Sequence, residues 1–479
     1  MSDMHDPDRI APQIDKLRRL RGRERRVALL RRSVRRRVDS RQEPDGLARV
    51  PLRLINTLPS ARRQLDPVLV VPGEILVPAS ARDAAQRILR DARLLEDQAT
   101  PDAAAETDGR ARSAVVRIGS SVDVRIALEL LRDNDVRASA NHVAAMGGRA
   151  KGGNTPRATT VDLGQRPTTT IDPHPLVVVI DTGVDRAAIG DAVLAARNRS
   201  DGWLDGVVAH TSSDGLGNGI DLLDTSDYHG NVGADGFLDL GAGHGTFVAG
   251  VIRRLAPTAN IVMIRALDTD GYGSETMIER AIDHANDLFV DAGGPGLLNL
   301  SLGLETVDGG EPTGISRAIG DLPDSVRVVA AAGNGDTGIP VWPGALERDP
   351  GPDRDPVLGV ASVMRSDTGE LVGCDWSNRG PWVDFSAPGE SVISTFVAGT
   401  ETEGSGDLDD PFESDPDTFV VPNPYAAWSG TSFSAAKVTG ALAAYLIKNP
   451  GAQIEQAVAH LRQEATDLNG SGFGYGLDL

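Results

Sequence analysis

A chain of 479 residues with 40% apolar content, 54 glycines and 29 prolines is long enough for more than one globular unit and rich in turns. Its net charge of −20 hides an asymmetry: residues 1–50 carry fifteen Lys or Arg against eight Asp or Glu, a net of +7, leaving −27 elsewhere. No run reaches 18 apolar residues, no apolar stretch follows a basic start, and Cys374 is the single cysteine; a membrane-spanning helix, a secretory leader and an intrachain disulfide are not expected, and a cytoplasmic location is.

Residues 12–38 read as a helix, because Leu17, Leu20, Val27, Leu30, Val34 and Val38 recur at helical spacing while eleven arginines lie between Arg18 and Arg37. This basic extension, residues 1–50, has two readings. It could be a patch for nucleic acid, an acidic membrane surface or a partner, or lie solvated against the protein's own acidic body. The lack of interleaved aromatics that would stack on bases argues against nucleic acid.

From residue 66 to 145 the pattern becomes short alternating units. VLVVPGEILVP (68–78), RLLED (93–97), SAVVRIG (113–119) and VRASANHV (136–143) read as strands, and 80–92 and 122–134 as amphipathic helices. The order β-α-β-β-α-β predicts a small α+β domain of ferredoxin-like type, a topology that by itself fixes no function. Residues 146–171, rich in Gly, Thr, Pro and basic side chains without apolar periodicity, read as a linker.

Beyond it, LVVVI (176–180), NIVMIRAL (260–267), LLNLSL (297–302), RVVAAAG (327–333) and VLGVASV (357–363) are continuous apolar runs, as expected of strands buried on both faces. Helical patterns at 245–255 and 277–289 lie between them. Residues 172–479 are thus predicted to form an α/β domain with a doubly wound, mostly parallel sheet, whose functional residues gather at the carboxyl ends of strands.

Three residues stand at such ends or at the helix starts that follow. Asp181 ends a strand in DTGVD, His244 opens a helix in GAGHGTFVAG, and Ser432 opens another in SGTSFSAA. A hydroxyl at a helix's first turn faces unpaired N–H groups, an imidazole can take and return its proton, and a carboxylate can fix that imidazole's tautomer. Singly, each signal is weak. DTG also occurs at Asp336 and Asp367, and a DTG after apolar residues suits an aspartic protease; that chemistry needs two carboxylates sharing a proton, and neither other copy follows a buried strand.

Together, DTGVD, GHGTFVAG, AAAGN at 330–334 and GTSFSAA occur in the order of the motifs of subtilisin-like serine proteases, and residues 172–479 resemble that family. The resemblance implies an Asp181–His244–Ser432 triad, an oxyanion donor at Asn334 and a substrate-pairing strand at Ser301, Leu302 and Gly303. It implies a protein or peptide substrate cut through an acyl-enzyme. It also casts residues 66–145 as a propeptide-like unit able to inhibit the enzyme intramolecularly and to be removed by self-cleavage, with a permanent accessory domain as the plainer reading. Two other functions stay open: a latched or inactive scaffold working through its basic N-terminus, and a peptide ligase or cyclase using the same acyl-enzyme.

Several positions depart from the family pattern. Phe247 stands where a second histidine is usual, and Ala436 and Lys437 replace a Pro-His pair, which should leave a continuous helix. Thirteen positions separate His244 from Pro257, too few for the loop that carries the strong calcium site of secreted subtilisins, so no cofactor is expected. Two insertions are acidic. Residues 186–241 carry Asp214, Asp221, Asp224, Asp227, Asp235 and Asp239 without EF-hand spacing, so weak calcium binding and plain solvated acids are both open. Residues 399–419 hold eight acids and no Lys or Arg, and could border the cleft or dock the Arg-rich helix. Val341 is expected near the floor of the specificity pocket, and Cys374 reads as a small core residue rather than a second nucleophile.

Overall fold

A computed structural model describes residues 53–56, 67–95, 113–119, 121–146, 156–159, 163, 171–185, 203–209, 238, 241–268, 270–346, 356–400, 417–420 and 425–479. The Arg-rich stretch 12–38 and most of the two acidic insertions lie outside the described residues. Among those described, no helix is long and apolar enough to cross a membrane.

The N-terminal unit is built on the strand Pro67–Pro78. Ser113–Arg117 and Ser139–Met146 both pair with it antiparallel, and Arg53–Asn56 pairs with its first residues. The pairing register shifts between Val70 and Ile75, around Gly73 in the left-handed region, so one long strand serves partners at both ends. Helices Arg82–Asp91 and Val124–Asp133 are amphipathic: Ala85 and Leu89 of the first and Val124, Ala127, Leu128 and Leu131 of the second are their buried residues. The second is capped by Asp123, which accepts the Arg125 N–H. Of the strand predicted at 93–97, the described residues 93–95 hold a single bridge, Leu95 to Ile118, after a positive-φ turn at Arg93. The expected linker also differs in part: Arg157–Thr159 pairs antiparallel with Tyr425–Ala427.

The second unit is α/β. Its sheet runs from Thr466–Asp467 through Tyr475–Gly476, Phe385–Pro388, Val357–Arg365, Val326–Ala331, Gly296–Leu300, Leu176–Asp181 and Asn260–Arg265 to Val208–Ala209. Every pairing along that path is parallel except the first. The central strands are buried along their whole length, the burial expected of continuous apolar runs covered on both faces. Helices His244–Leu255 and Thr431–Lys448 pack against each other, with Gly440 over Leu255, and the second runs unbroken through Ala436 and Lys437.

The apolar run 297–302 is two strands rather than one. Gly296–Leu300 belongs to the main sheet, while Leu302–Gly303 pairs with Ala145 and Met146 of the N-terminal unit. Tyr272–Ser274 pairs with Val143–Ala145 along the other edge of the same strand. Residues 143–146 therefore lie as a middle strand in a groove of the α/β unit, and this junction is where the site is found.

Candidate active site

Asp181 is the last residue of its strand and is fully buried. Its backbone oxygen accepts the Ala266 and Leu267 N–H groups, and its Oδ1 accepts the Thr182 N–H at 2.7 Å. The same oxygen lies 2.7 Å from His244 Nδ1. With a carboxylate on one nitrogen, the ring carries its proton there and leaves Nε2 with a lone pair. Both side chains are 0% exposed.

The turn that brings His244 to Asp181 depends on glycine on either side. Gly243 has φ +79, and a Cβ there would lie 2.1 Å from the Phe396 ring. A Cβ on Gly245 would lie 2.1 Å from the Gly183 carbonyl oxygen, so the helix start and the DTG turn touch backbone to backbone. Thr182 Oγ1 accepts the Gly245 N–H across that contact at 3.0 Å. The imidazole is boxed by Trp428, edge-on with ring centroids 5.4 Å apart, and by Phe433 at 5.6 Å. Phe247 extends this wall, 4.4 Å from Phe433 between centroids, and so belongs to the aromatic packing behind the imidazole. A box of this kind excludes water and strengthens the electrostatic contacts inside it.

Ser432 lies in the first turn of its helix, fully buried. Its Oγ donates to the Ser301 carbonyl at 3.1 Å, and Ser301 Oγ donates back to the Ser432 carbonyl at 2.9 Å. The hydroxyl is thus engaged by the Ser301 backbone rather than by His244, whose Nε2 is buried and has no hydrogen-bond partner in the structure. Asn334 Oδ1 accepts both the N–H and the hydroxyl of Thr431, each at 2.9 Å, and its Nδ2 is buried with no partner. An unpartnered buried amide donor beside the residue that precedes Ser432 is the kind of group able to meet a developing oxyanion.

The structure thus gathers Ser301, Ser432, Thr431 and Asn334 by direct hydrogen bonds, joins Asp181 to His244, and links the two groups through Phe433, which follows Ser432 and packs on the imidazole. Leu302 and Gly303 continue from Ser301 as the edge that pairs with residues 145 and 146. Val341 lies against Gly303, where a Cβ would be 2.5 Å from its Cγ1, and 3.5 Å from the Cβ position at Gly333. It therefore closes the space between the pairing strand and the loop that carries Asn334.

Cys374 is 1% exposed beside Trp376 and Ser362, and burial pushes its thiol up to about 12, which keeps it protonated. Sequence reasoning did not foresee Trp428, Phe433 and Thr431 as neighbours of the site. Thr431 and Phe433 flank Ser432 within one motif, whereas nothing local marks Trp428, which reaches His244 through a separate three-stranded sheet.

A family model described as the subtilase family matches residues 173–476. A thermophilic serine proteinase of Bacillus sp. (strain AK1) is 31% identical over 246 residues, covering 49% of this chain and 50% of the relative. Thermitase of Thermoactinomyces vulgaris is 28% identical over 242 residues, covering 48% of this chain and 70% of its own length. The chain thus spans only half of the first of these relatives. The crystal structure of fervidolysin from Fervidobacterium pennivorans superposes with a TM-score of 0.51 at 19% identity, over 85% of this chain and 60% of that one, which is a likeness of fold.

Proposed function

The chain belongs to the subtilase family, and from that premise we propose that it is a serine endopeptidase acting through Asp181, His244 and Ser432. The observation that carries the reading is the buried 2.7 Å contact between Asp181 and His244, with a free Nε2 beside a helix that holds Ser432 in its first turn. In the reaction, Ser432 turns its hydroxyl from the Ser301 carbonyl to His244 Nε2 and attacks the scissile carbonyl as its proton passes to the imidazole. Asp181 holds the Nδ1 proton and stabilises the imidazolium. Asn334 Nδ2 and the Ser432 N–H receive the oxyanion. His244 then protonates the leaving amine, and water, activated by the same imidazole, releases the acyl group.

We assign Ser301, Leu302 and Gly303 to binding of extended substrate. The support is that they already hold an extended segment: residues 145 and 146 pair with 303 and 302 as a substrate strand would. On this reading residues 66–145 are a propeptide-type unit of ferredoxin-like topology that inhibits by occupying the groove, and self-cleavage falls in the segment beginning at residue 147. The contact of Ser432 Oγ with Ser301 favours a latched form before cleavage.

We further propose that the domain needs no calcium at the turn after the His244 helix. There Arg253 is fully buried and donates to the carbonyls of Pro257 and Ala259, each at 3.0 Å, and of Asp205 at 3.4 Å. A guanidinium meets all three oxygens.

Intact-mass spectrometry of the purified chain and of Ser432→Ala, each with and without a fluorophosphonate, tests the activity. One adduct on the unmutated chain alone, with fragments ending shortly after residue 146, is expected. No adduct on either protein, including after limited proteolysis between 147 and 155, overturns the protease reading.

A further inference from the structure

Side chains alternate along a strand, so His142, Ala144 and Met146 share one face of Ser139–Met146 while Val143 points the other way. Val143 packs with Leu69, Val71 and Tyr272. Ala144 and Met146 enter the core of the α/β unit, with Met146 against Gly271. The third residue of that face is polar. His142 is 1% exposed, and both its ring nitrogens are used.

Nδ1 of His142 lies 3.0 Å from Glu275 Oε2, and Nε2 accepts the backbone N–H of Val307 at 3.1 Å. An imidazole that accepts at Nε2 carries its proton on Nδ1, which is the proton the carboxylate takes. Glu275 is 0% exposed, and its other oxygen accepts the Gly314 N–H at 2.7 Å. The carboxylate opens the helix Glu275–Ala292, directly after the groove strand Tyr272–Ser274, and Val307 follows the other groove strand, Leu302–Gly303. Both walls of the groove thus end in one polar group each, an acceptor on one side and a donor on the other. A carboxylate this buried is costly unless a donor meets it, so the groove is incomplete without such a residue.

We propose that Glu275 Oε2 and the Val307 N–H form a substrate subsite that selects histidine four residues before the position opposite Leu302, and that His142 fills it in the intact chain. The inference rests on the protease reading, in which a substrate strand takes the place of residues 142–146. A neutral imidazole matches both groups. Lysine or arginine would meet Glu275 but bring no acceptor for Val307, an aliphatic residue would leave both unpaired, and glutamine, which carries one group of each kind, ranks next. Glu275 is a specificity residue here, since it touches the bound segment and not the reacting atoms.

The test uses the full chain and peptides that copy residues 142–146 ahead of a glycine carrying a reactive phosphonate, with histidine, leucine or lysine at the first position. Labelling of Ser432 is followed by intact mass in the unmutated chain, in His142→Leu, whose own strand holds the groove less well, and in Glu275→Gln. The expected result is labelling about 10- to 100-fold faster with the histidine peptide than with the leucine one, and a smaller ratio in Glu275→Gln, where the Val307 N–H still meets the imidazole. The comparison of peptides within the unmutated chain and His142→Leu stands even if Glu275→Gln does not fold. Equal rates for the three peptides in those two proteins overturn the proposal. So does labelling by a small fluorophosphonate but by none of the peptides. Failure of the small fluorophosphonate itself is a different result, since it removes the nucleophile and with it the protease reading.

Discussion

Asn334 gives a test in which folding and catalysis separate. Its side chain has two ends with different duties: Oδ1 takes two hydrogen bonds from Thr431 at 2.9 Å each, and Nδ2 is the unpartnered donor. Asn334→Ala removes both ends. Two hydrogen bonds at about 1 kcal/mol each are lost, and at about 2–4 °C per kcal/mol for a domain of this size the midpoint of thermal unfolding falls by about 4–8 °C. Asn334→Asp keeps an oxygen facing Thr431 and so keeps those two hydrogen bonds, but it replaces the donor with a second acceptor. Turnover is then expected to fall by at least about 10²–10³, the magnitude known for the asparagine donor of subtilisin itself rather than one calculated from this structure. KM should change little, because the donor meets charge that develops only in the transition state. The assay is kcat and KM on one peptide substrate beside a thermal melt for each protein. Asn334→Asp with an unchanged melt and kcat within tenfold of the original would refute the oxyanion role and leave Asn334 as a clasp for the loop before Ser432.

Arg253→Met strips the carbonyls of Pro257, Ala259 and Asp205 of their donor, and a loss of about 3 kcal/mol, or about 6–12 °C in a thermal melt, is expected. The unmutated protein should melt at the same temperature with and without EDTA; a drop on chelation would show that a metal does work assigned here to the guanidinium. Lys437 is pulled down to about 8, first by burial and then by nearby Arg254. Its folded value lies below the unfolded one, so at neutral pH the folded state carries a charge it holds poorly, and this handicap lifts as pH rises from about 8 towards the usual lysine range. Lys437→Met should therefore melt a few degrees higher at pH 7, and the gap should close towards pH 10; a gap that is constant with pH would refute the cause. Val341→Ala opens the space against Gly303 and should shift kcat/KM about tenfold in favour of a larger side chain before the scissile bond, measured with paired peptides.

The residues proposed for the chemistry stand in patterns that are each a few positions long. A carboxylate at the end of a buried strand, a histidine opening a helix, a serine in the first turn of another, and the order of their motifs are local patterns, and such patterns survive without knowledge of what packs against them. The apolar runs likewise announced a buried parallel sheet, because strands covered on both faces leave no room for alternation.

Other features depended on partners distant in sequence. The run 297–302 divides between two sheets because residues 145 and 146 supply a second edge for its end, more than 150 positions away. The segment read as a linker contributes a strand because Tyr425–Ala427 offers an unpaired edge. Trp428 walls His244 only once the α/β unit has folded, and Glu275 and Val307 meet both nitrogens of His142 only after the two units close on one another. By itself the sequence determined which side chains can do chemistry and which segments are strand or helix, since those depend on residue type and on a period of a few positions. Only the tertiary structure decided which strand lies in the groove, which hydroxyl partner Ser432 holds and what surrounds the imidazole. Those are contacts between segments whose pairing energy exists only once the chain has brought them together.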